Sequence, residues 1–123
     1  MSDFVEPSAA PPSISVVIVS FNTQPELLRC LESLAECVSQ PIEVIVVDNA
    51  SQDGTIEALR HDQPRVRLIA NSENVGFARA CNQGLRAARG PLWLILNSDT
   101  EVRPGAMKVL GVPVPALAAG QIR

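Results

Sequence analysis

The sequence predicts an α/β fold: an open, three-layer α/β/α sheet of parallel strands in the order 3-2-1-4, with helices on both faces. Three observations predict it. From Ile14 to about Leu110, short apolar runs alternate with stretches of helical periodicity, the βαβα pattern of a parallel sheet covered by helices. The runs from Ile42 and from Leu92 are dense in Val, Ile and Leu, as strands buried on both faces require. Both end on a carboxylate-bearing turn, Asp48-Asn49-Ala50-Ser51 and Asn97-Ser98-Asp99. In such sheets ligands bind outside the carboxyl ends of the strands, so both acids land where small molecules dock.

The elements follow in order. Residues 1–13, with Pro7, Pro11 and Pro12, lack the apolar content to order themselves and read as a mobile leader. The first strand spans Ser15 to Phe21. Thr23 and Glu26, three apart, form a capping box with Pro25 in the first turn, and open a helix. Its Leu27, Leu28, Leu31, Leu34, Ala35 and Val38 recur on one face, with Arg29, Glu32 and Glu36 elsewhere. Pro41 ends the connection and the second strand follows. The turn from Asp48 to Thr55 leads into a short helix through Ile56 and Leu59. Val66 to Ala70 is a third strand. The loop Asn71 to Gly76 opens a helix with a buried stripe of Phe77, Ala80, Cys81, Gly84, Leu85 and Ala88 opposite a polar stripe of Arg79, Asn82, Gln83 and Arg86. Gly90 and Pro91 stop it, and the fourth strand is Leu92 to Leu96. Residues 14–110 thus form one domain. Gly111, Pro113, Pro115 and Gly120 make residues 111–123 an irregular tail.

Composition narrows the function. At 123 residues, 46% apolar and net charge −3, the chain suits one small domain with a real core. Its Arg and Lys are scattered, which excludes nucleic acid as the main partner. Cys30, Cys37 and Cys81 are odd in number, lack metal-ligand spacing and fall in helical patterns, so they read as reduced thiols of a cytoplasmic protein. No apolar run reaches the roughly 20 residues that cross a bilayer, and no export signal is present at the start.

The acids carry the chemistry. Asp48, at a strand tip, can accept a hydrogen bond from a pyrimidine imide or a sugar hydroxyl; an Asx turn into the next helix is the alternative. Asp99 can hold a divalent cation, since Mg²⁺ or Mn²⁺ on a diphosphate needs only one or two protein carboxylates. If the segment stays extended, side chains alternate and Asn97 and Asp99 emerge together. Arg79 and Asn82, three apart on a helix, can address one ligand. His61 reads as a solvated surface group.

Four blocks resemble a known family: Val17-Ile18-Val19-Ser20-Phe21-Asn22, Val47-Asp48-Asn49-Ala50-Ser51-Gln52-Asp53-Gly54-Thr55, Asn74-Val75-Gly76-Phe77-Ala78-Arg79-Ala80-Cys81-Asn82-Gln83-Gly84 and Leu96-Asn97-Ser98-Asp99-Thr100. Together they are similar to family 2 glycosyltransferases, especially the rhamnosyltransferase-like branch. The resemblance covers about Ser15 to Gly105, the nucleotide-sugar-binding half of the Rossmann-like GT-A glycosyltransferase fold. It implies inverting transfer of a sugar from a UDP- or dTDP-linked donor to a polysaccharide, glycan or lipid-linked acceptor, assisted by Mg²⁺ or Mn²⁺. By family position, Ser20, Asn22, Asp48 and Asp53 surround the nucleoside, and Asn74, Arg79, Asn82, Asn97 and Ser98 border the donor, with Asp99 on the metal. The family more often has an acid where Asn97 stands.

The catalytic base is missing from this picture. Inverting transfer needs a carboxylate or similar group to take the acceptor's proton, and no Asp, Glu or His follows Glu101. This chain is therefore expected to supply donor binding only, with a catalytically inactive, nucleotide-sugar-binding remnant as the alternative. A dinucleotide-dependent enzyme would want a glycine-rich loop after the first strand, where Ser20-Phe21-Asn22-Thr23-Gln24 stands instead. A lipid-linked acceptor implies peripheral association with the inner face of a membrane. The order 3-2-1-4 leaves the apolar fourth strand at an edge, so self-association through Leu92 to Leu96 is expected unless Val109 to Ile122 covers it.

Overall fold

β-branched and leucine-rich runs pair side by side, and the helical stripes between them close over the sheet. In this computed structural model, which describes Phe4 and residues 12–38 and 41–106, the order is β1 (Ile14–Ser20), α1 (Gln24–Cys37), β2 (Ile42–Asp48), α2 (Thr55–Asp62), β3 (Arg67–Ala70), α3 (Phe77–Ala87) and β4 (Leu92–Asn97). All strand pairs are parallel, in the order β3-β2-β1-β4. Fold class and strand order are as the sequence predicts. The tail, residues 111–123, lies outside the described residues.

Alternation divides the core. Val16, Ile18, Val44, Val46, Leu94 and Leu96 face α1 and α2, meeting Leu27, Leu31, Leu34 and Leu59. Ile45 and Val47 face α3, with Ala80, Val19 and Ile69 around them. Gly84 explains how closely α3 sits: a Cβ there would fall 2.5 Å from a methyl of Val17, so only glycine fits. Because α3 lies over β1 and β2, the same face of β4 is bare, and Trp93 is 48% exposed.

Some local expectations fail for physical reasons. Thr23 is the N-cap of α1, but its hydroxyl makes no cap bond and instead donates to Ser98 Oγ at 2.9 Å, so the capping box does not form. Phe77 is 56% exposed instead of buried, because α3 starts at that residue, beyond the end of the sheet it packs against. Of residues 1–13, only Phe4, Pro12 and Ser13 are among the described residues. Phe4 is buried in the α1 and α2 core, and its carbonyl accepts from Arg65 at 3.5 Å, since one aromatic ring in an apolar slot repays local ordering.

Near the foot of the sheet lies a buried acid that the hydropathy pattern hid. Glu43 is 1% exposed. It accepts from Ser15 Oγ at 2.5 Å and from the Arg89 amide at 2.5 Å, and pairs with the guanidinium groups of Arg89 at 3.3 Å and Arg67 at 3.8 Å. Burial pushes its carboxyl up, but the Ser15 hydroxyl, the Arg89 amide and the Arg89 guanidinium outweigh that and hold it below the ordinary range. Ser15 Oγ in turn accepts from Gly90 N at 2.8 Å, tying the start of β4 to this cluster.

Candidate functional site

At the opposite, carboxyl end of the sheet the strand tips of β1 and β2 are stitched together. Ser20 and Asp48 are register partners, and Ser20 Oγ donates to Asp48 Oδ1 at 2.8 Å. Asp48 also accepts from Ser51 Oγ at 2.6 Å and Ser51 N at 2.8 Å. It is fully buried, so in this conformation its carboxylate holds the turn and offers no surface to a ligand. Every donor on it is neutral. The Asx turn kept as an alternative is what the carboxylate builds here.

Above that floor the β1–α1 and β2–α2 turns bind each other. Asn22 N donates to Ser51 Oγ at 2.8 Å, and Asn22 Oδ1 accepts from Gln52 N at 2.7 Å. Asp53 accepts from Gln24 N at 2.9 Å and from the Thr55 hydroxyl at 2.5 Å, covering the start of α2. Burial raises its carboxyl, but the Thr55 hydroxyl and the Gln24 and Thr55 amides outweigh this and hold it below the usual range. Asn22 and Ala50 adopt left-handed backbone, φ 52° and 65°. For Ala50 this costs about 1–2 kcal/mol, strain of the kind that gathers at binding sites.

β4 brings Asp99 to the same end. The Thr100 amide donates to Asn97 O at 3.1 Å, closing a turn through Ser98 and Asp99. The backbone is therefore not extended past Asn97, and the alternation expected to align Asn97 with Asp99 does not apply. Asp99 is exposed. Burial, and then the charge of Asp99, push the Cys30 thiol of α1 up to about 12. Carboxylate, amide and hydroxyl oxygens on one turn make a hard donor set that fits Mg²⁺ or Mn²⁺, provided a ligand's phosphates complete it. Among the described residues no group of three or more His, Cys, Asp or Glu could hold a metal alone.

Arg79 and Asn82 do share a wall, as their spacing predicts, but not with Asp99. They line a shallow depression of about 370 Å³ with Val75, Gln83 and Arg86 on α3. What connects it to the strand tips is an amide relay that sequence reasoning missed. Asn71 and Gln83 exchange hydrogen bonds at 2.8 and 2.9 Å, and Asn71 Nδ2 also donates to Asn49 Oδ1 at 3.0 Å. Buried Asn49 donates to Gly76 O at 3.3 Å, while Asn74 Oδ1 accepts from Gly76 N at 2.9 Å. The signal was an amide residue directly after each of β2 and β3. His61 is exposed beside Asp62, a surface pair.

Comparison with known proteins decides the family. Residues 15–110 match the family described as Glycosyl transferase family 2. The chain belongs to that family. Among relatives of this glycosyltransferase family 2 chain, the succinoglycan biosynthesis protein ExoO of Rhizobium meliloti is 37% identical over 100 residues, covering 79% of this chain and 28% of that protein. An N-acetylglucosaminyl-diphospho-decaprenol L-rhamnosyltransferase of Mycobacterium tuberculosis is 31% identical over 108 residues, covering 79% and 35%. The mannosyltransferase PcManGT of Pyrobaculum calidifontis, solved with GDP-Man and Mn²⁺, superposes with TM-score 0.70 at 30% identity, covering 88% of this chain and 34% of that one. Residues 1–349 of S. aureus TarS share the fold, TM-score 0.73 at 24% identity over 80% and 31%. The family 2 chain thus spans about a third of its relatives' length, the part of the GT-A fold that carries order 3-2-1-4.

Proposed function

We propose that this chain binds the donor of a glycosyltransferase, a UDP- or dTDP-linked sugar, at the carboxyl ends of β1, β2 and β4. The observation that carries the reading is the pairing, at one end of the sheet, of two cross-bound, strained turns with an exposed carboxylate, Asp99, that accepts no hydrogen bond among the described residues. Ser20 and Asp48 hold the floor beneath the nucleoside, with Asn22 and Asp53 at its rim. Asn97, Ser98 and Asp99 face the diphosphate. Asn74 approaches from the loop before α3, and Arg79 and Asn82 stand on that helix as the outer border. Asp99 would hold Mg²⁺ or Mn²⁺, and the cation would supply positive charge against the donor's diphosphate. TarS has been solved with UDP and with UDP-GlcNAc, and PcManGT with GDP-Man and Mn²⁺, which supports this class of donor.

Transfer with inversion to a glycan or lipid-linked acceptor completes the proposal for the whole enzyme, with the proton-accepting group outside the described residues. The free thiols support a cytoplasmic setting, and a lipid-linked acceptor brings the chain to the inner face of the membrane. Donor binding without turnover is the second reading.

Calorimetry with UDP and dTDP, with and without Mn²⁺, tests the proposal. Binding is expected to tighten with Mn²⁺, and Asp99→Ala to abolish that gain, a loss of about tenfold or more, worth roughly 1.4 kcal/mol. Equal affinity with and without the cation in both proteins would overturn the metal assignment; no binding at all would overturn the reading.

A further inference from the structure

Helix α3 is fastened to the sheet at two points by neutral side chains. The fastening is rooted in the sheet's own ladder. The Asn49 amide donates to Ser20 O at 2.9 Å and the Asn71 amide to Asp48 O at 2.9 Å, so both residues carry the parallel pairing one step past the ends of β2 and β3. Their side chains then reach out to the helix. Asn49, 2% exposed, grips the backbone just ahead of α3 at two places: its Oδ1 accepts from Val75 N at 3.4 Å and its Nδ2 donates to Gly76 O at 3.3 Å. Asn71 Nδ2 donates to Asn49 Oδ1 at 3.0 Å and to Gln83 Oε1 at 2.8 Å, and Asn71 Oδ1 accepts from Gln83 Nε2 at 2.9 Å. Each amide has its oxygen and nitrogen ends set by its neighbours, so none turns over without breaking bonds at the next.

The two points of attachment are well spaced. Gln83 comes seven residues after Gly76, about 10 Å further along the axis and close to two whole turns on. Both attachments therefore lie along one line of the helix, and together they fix its slide and its rotation. The Gly84 contact with Val17 does a different job, setting how closely α3 approaches the sheet. Nothing else among the described residues ties down the start of the helix, since Gly76 at the N-cap offers no side-chain bond. Arg79 and Asn82 lie between the two attachments and make no hydrogen bond of their own to the described residues, so they stand where the backbone carries them.

We infer that Asn49, Asn71 and Gln83 are positioning residues of the donor site. They register the face of α3 that carries Arg79 and Asn82 to the strand tips at Ser20 and Asp48, so that one donor meets both. The inference rests on the donor reading above. Amides suit this duty better than an ion pair would, because a carboxylate here would repel the diphosphate and compete for Arg79.

Calorimetry with UDP and Mn²⁺ on the full chain tests it. Asn71→Ala cuts the bonds to Asn49 and Gln83 and removes no side chain assigned to the donor. It is expected to weaken UDP about tenfold, with the far-ultraviolet circular dichroism unchanged. In an Arg79→Ala/Asn82→Ala background the same substitution is expected to cost less than about twofold, because the relay acts through those two side chains. Should Asn71→Ala fail to fold, Gln83→Ala takes its place, since alanine favours the helix. It is expected to lose about fivefold alone and less than about twofold in that background. Unchanged affinity in the relay variant overturns the inference, and so does an equal loss in both backgrounds. A chain that binds no UDP before any substitution overturns the donor reading and the inference with it, whereas binding that the relay does not influence overturns the inference alone.

Discussion

Strand β2 carries a buried acid near each end, and the two are held in opposite ways. Glu43, at the foot, is ringed by two guanidinium groups, a hydroxyl and an amide, and its charge is matched on the spot. Asp48, at the tip, is equally buried but accepts only from neutral donors, Ser20 and Ser51. Charge pairing at the foot locks β1, β2 and the entry to β4 into one frame. At the tip, an acid without a cation shapes a turn whose neighbours, Asn22 and Ala50, are held in strained backbone. One end of the strand is held by matched charge, and the other shapes the turn proposed to floor the donor site.

Removing each acid in turn sharpens that contrast. The largest effect is expected from Glu43→Ala, which leaves the Ser15 hydroxyl and the Arg89 amide without this acceptor and takes a buried carboxylate away from the guanidinium groups of Arg67 and Arg89. A loss of about 2–3 kcal/mol should appear in urea unfolding, with donor affinity of the folded protein unchanged. Asp48→Asn is expected to cost less stability, about 1–2 kcal/mol, yet to weaken UDP binding at least tenfold in calorimetry because the turn is reshaped. If the two variants lost affinity equally, the division of labour between the ends would be wrong.

The smallest effect is the one that acid titration reads. Glu43 has a native value below its ordinary one of about 4.3, so its stabilisation is fully present above that pH and is lost as pH falls through the lowered value. Asp53, also lowered, acts with the same sign, but it is exposed and screened. Urea midpoints should stay level from neutral pH to about pH 5 and fall in stronger acid. Glu43→Gln should flatten that fall.

Much of the frame was legible because burial forces pattern. The runs at Ile14, Ile42 and Leu92 read as buried strands, and counting four strands and three helices as a doubly wound unit gives 3-2-1-4. Contacts between segments distant in sequence were not legible. Glu43 sits in an apolar run where hydropathy sees only an interruption, and its partners Arg67 and Arg89 lie on other elements. Thr23 satisfied every local rule for a cap and still turned to Ser98, because β4 ends beside it. In the site, the residue types Asp48, Asn22 and Asp53 were readable, but that Asp48 would be covered was not. Burial of a strand tip depends on how the next loop folds over it, and here the Ser51 hydroxyl does so.

The mutual bonding of the two turns at the mouth also sets a limit on length variation. Gln52 closes on Asn22, and Asp53 closes on Gln24, so adding or deleting one residue in either turn moves donors away from acceptors in both. Insertions at this end of the sheet must therefore arrive as matched pairs. Single ones are tolerable only away from it.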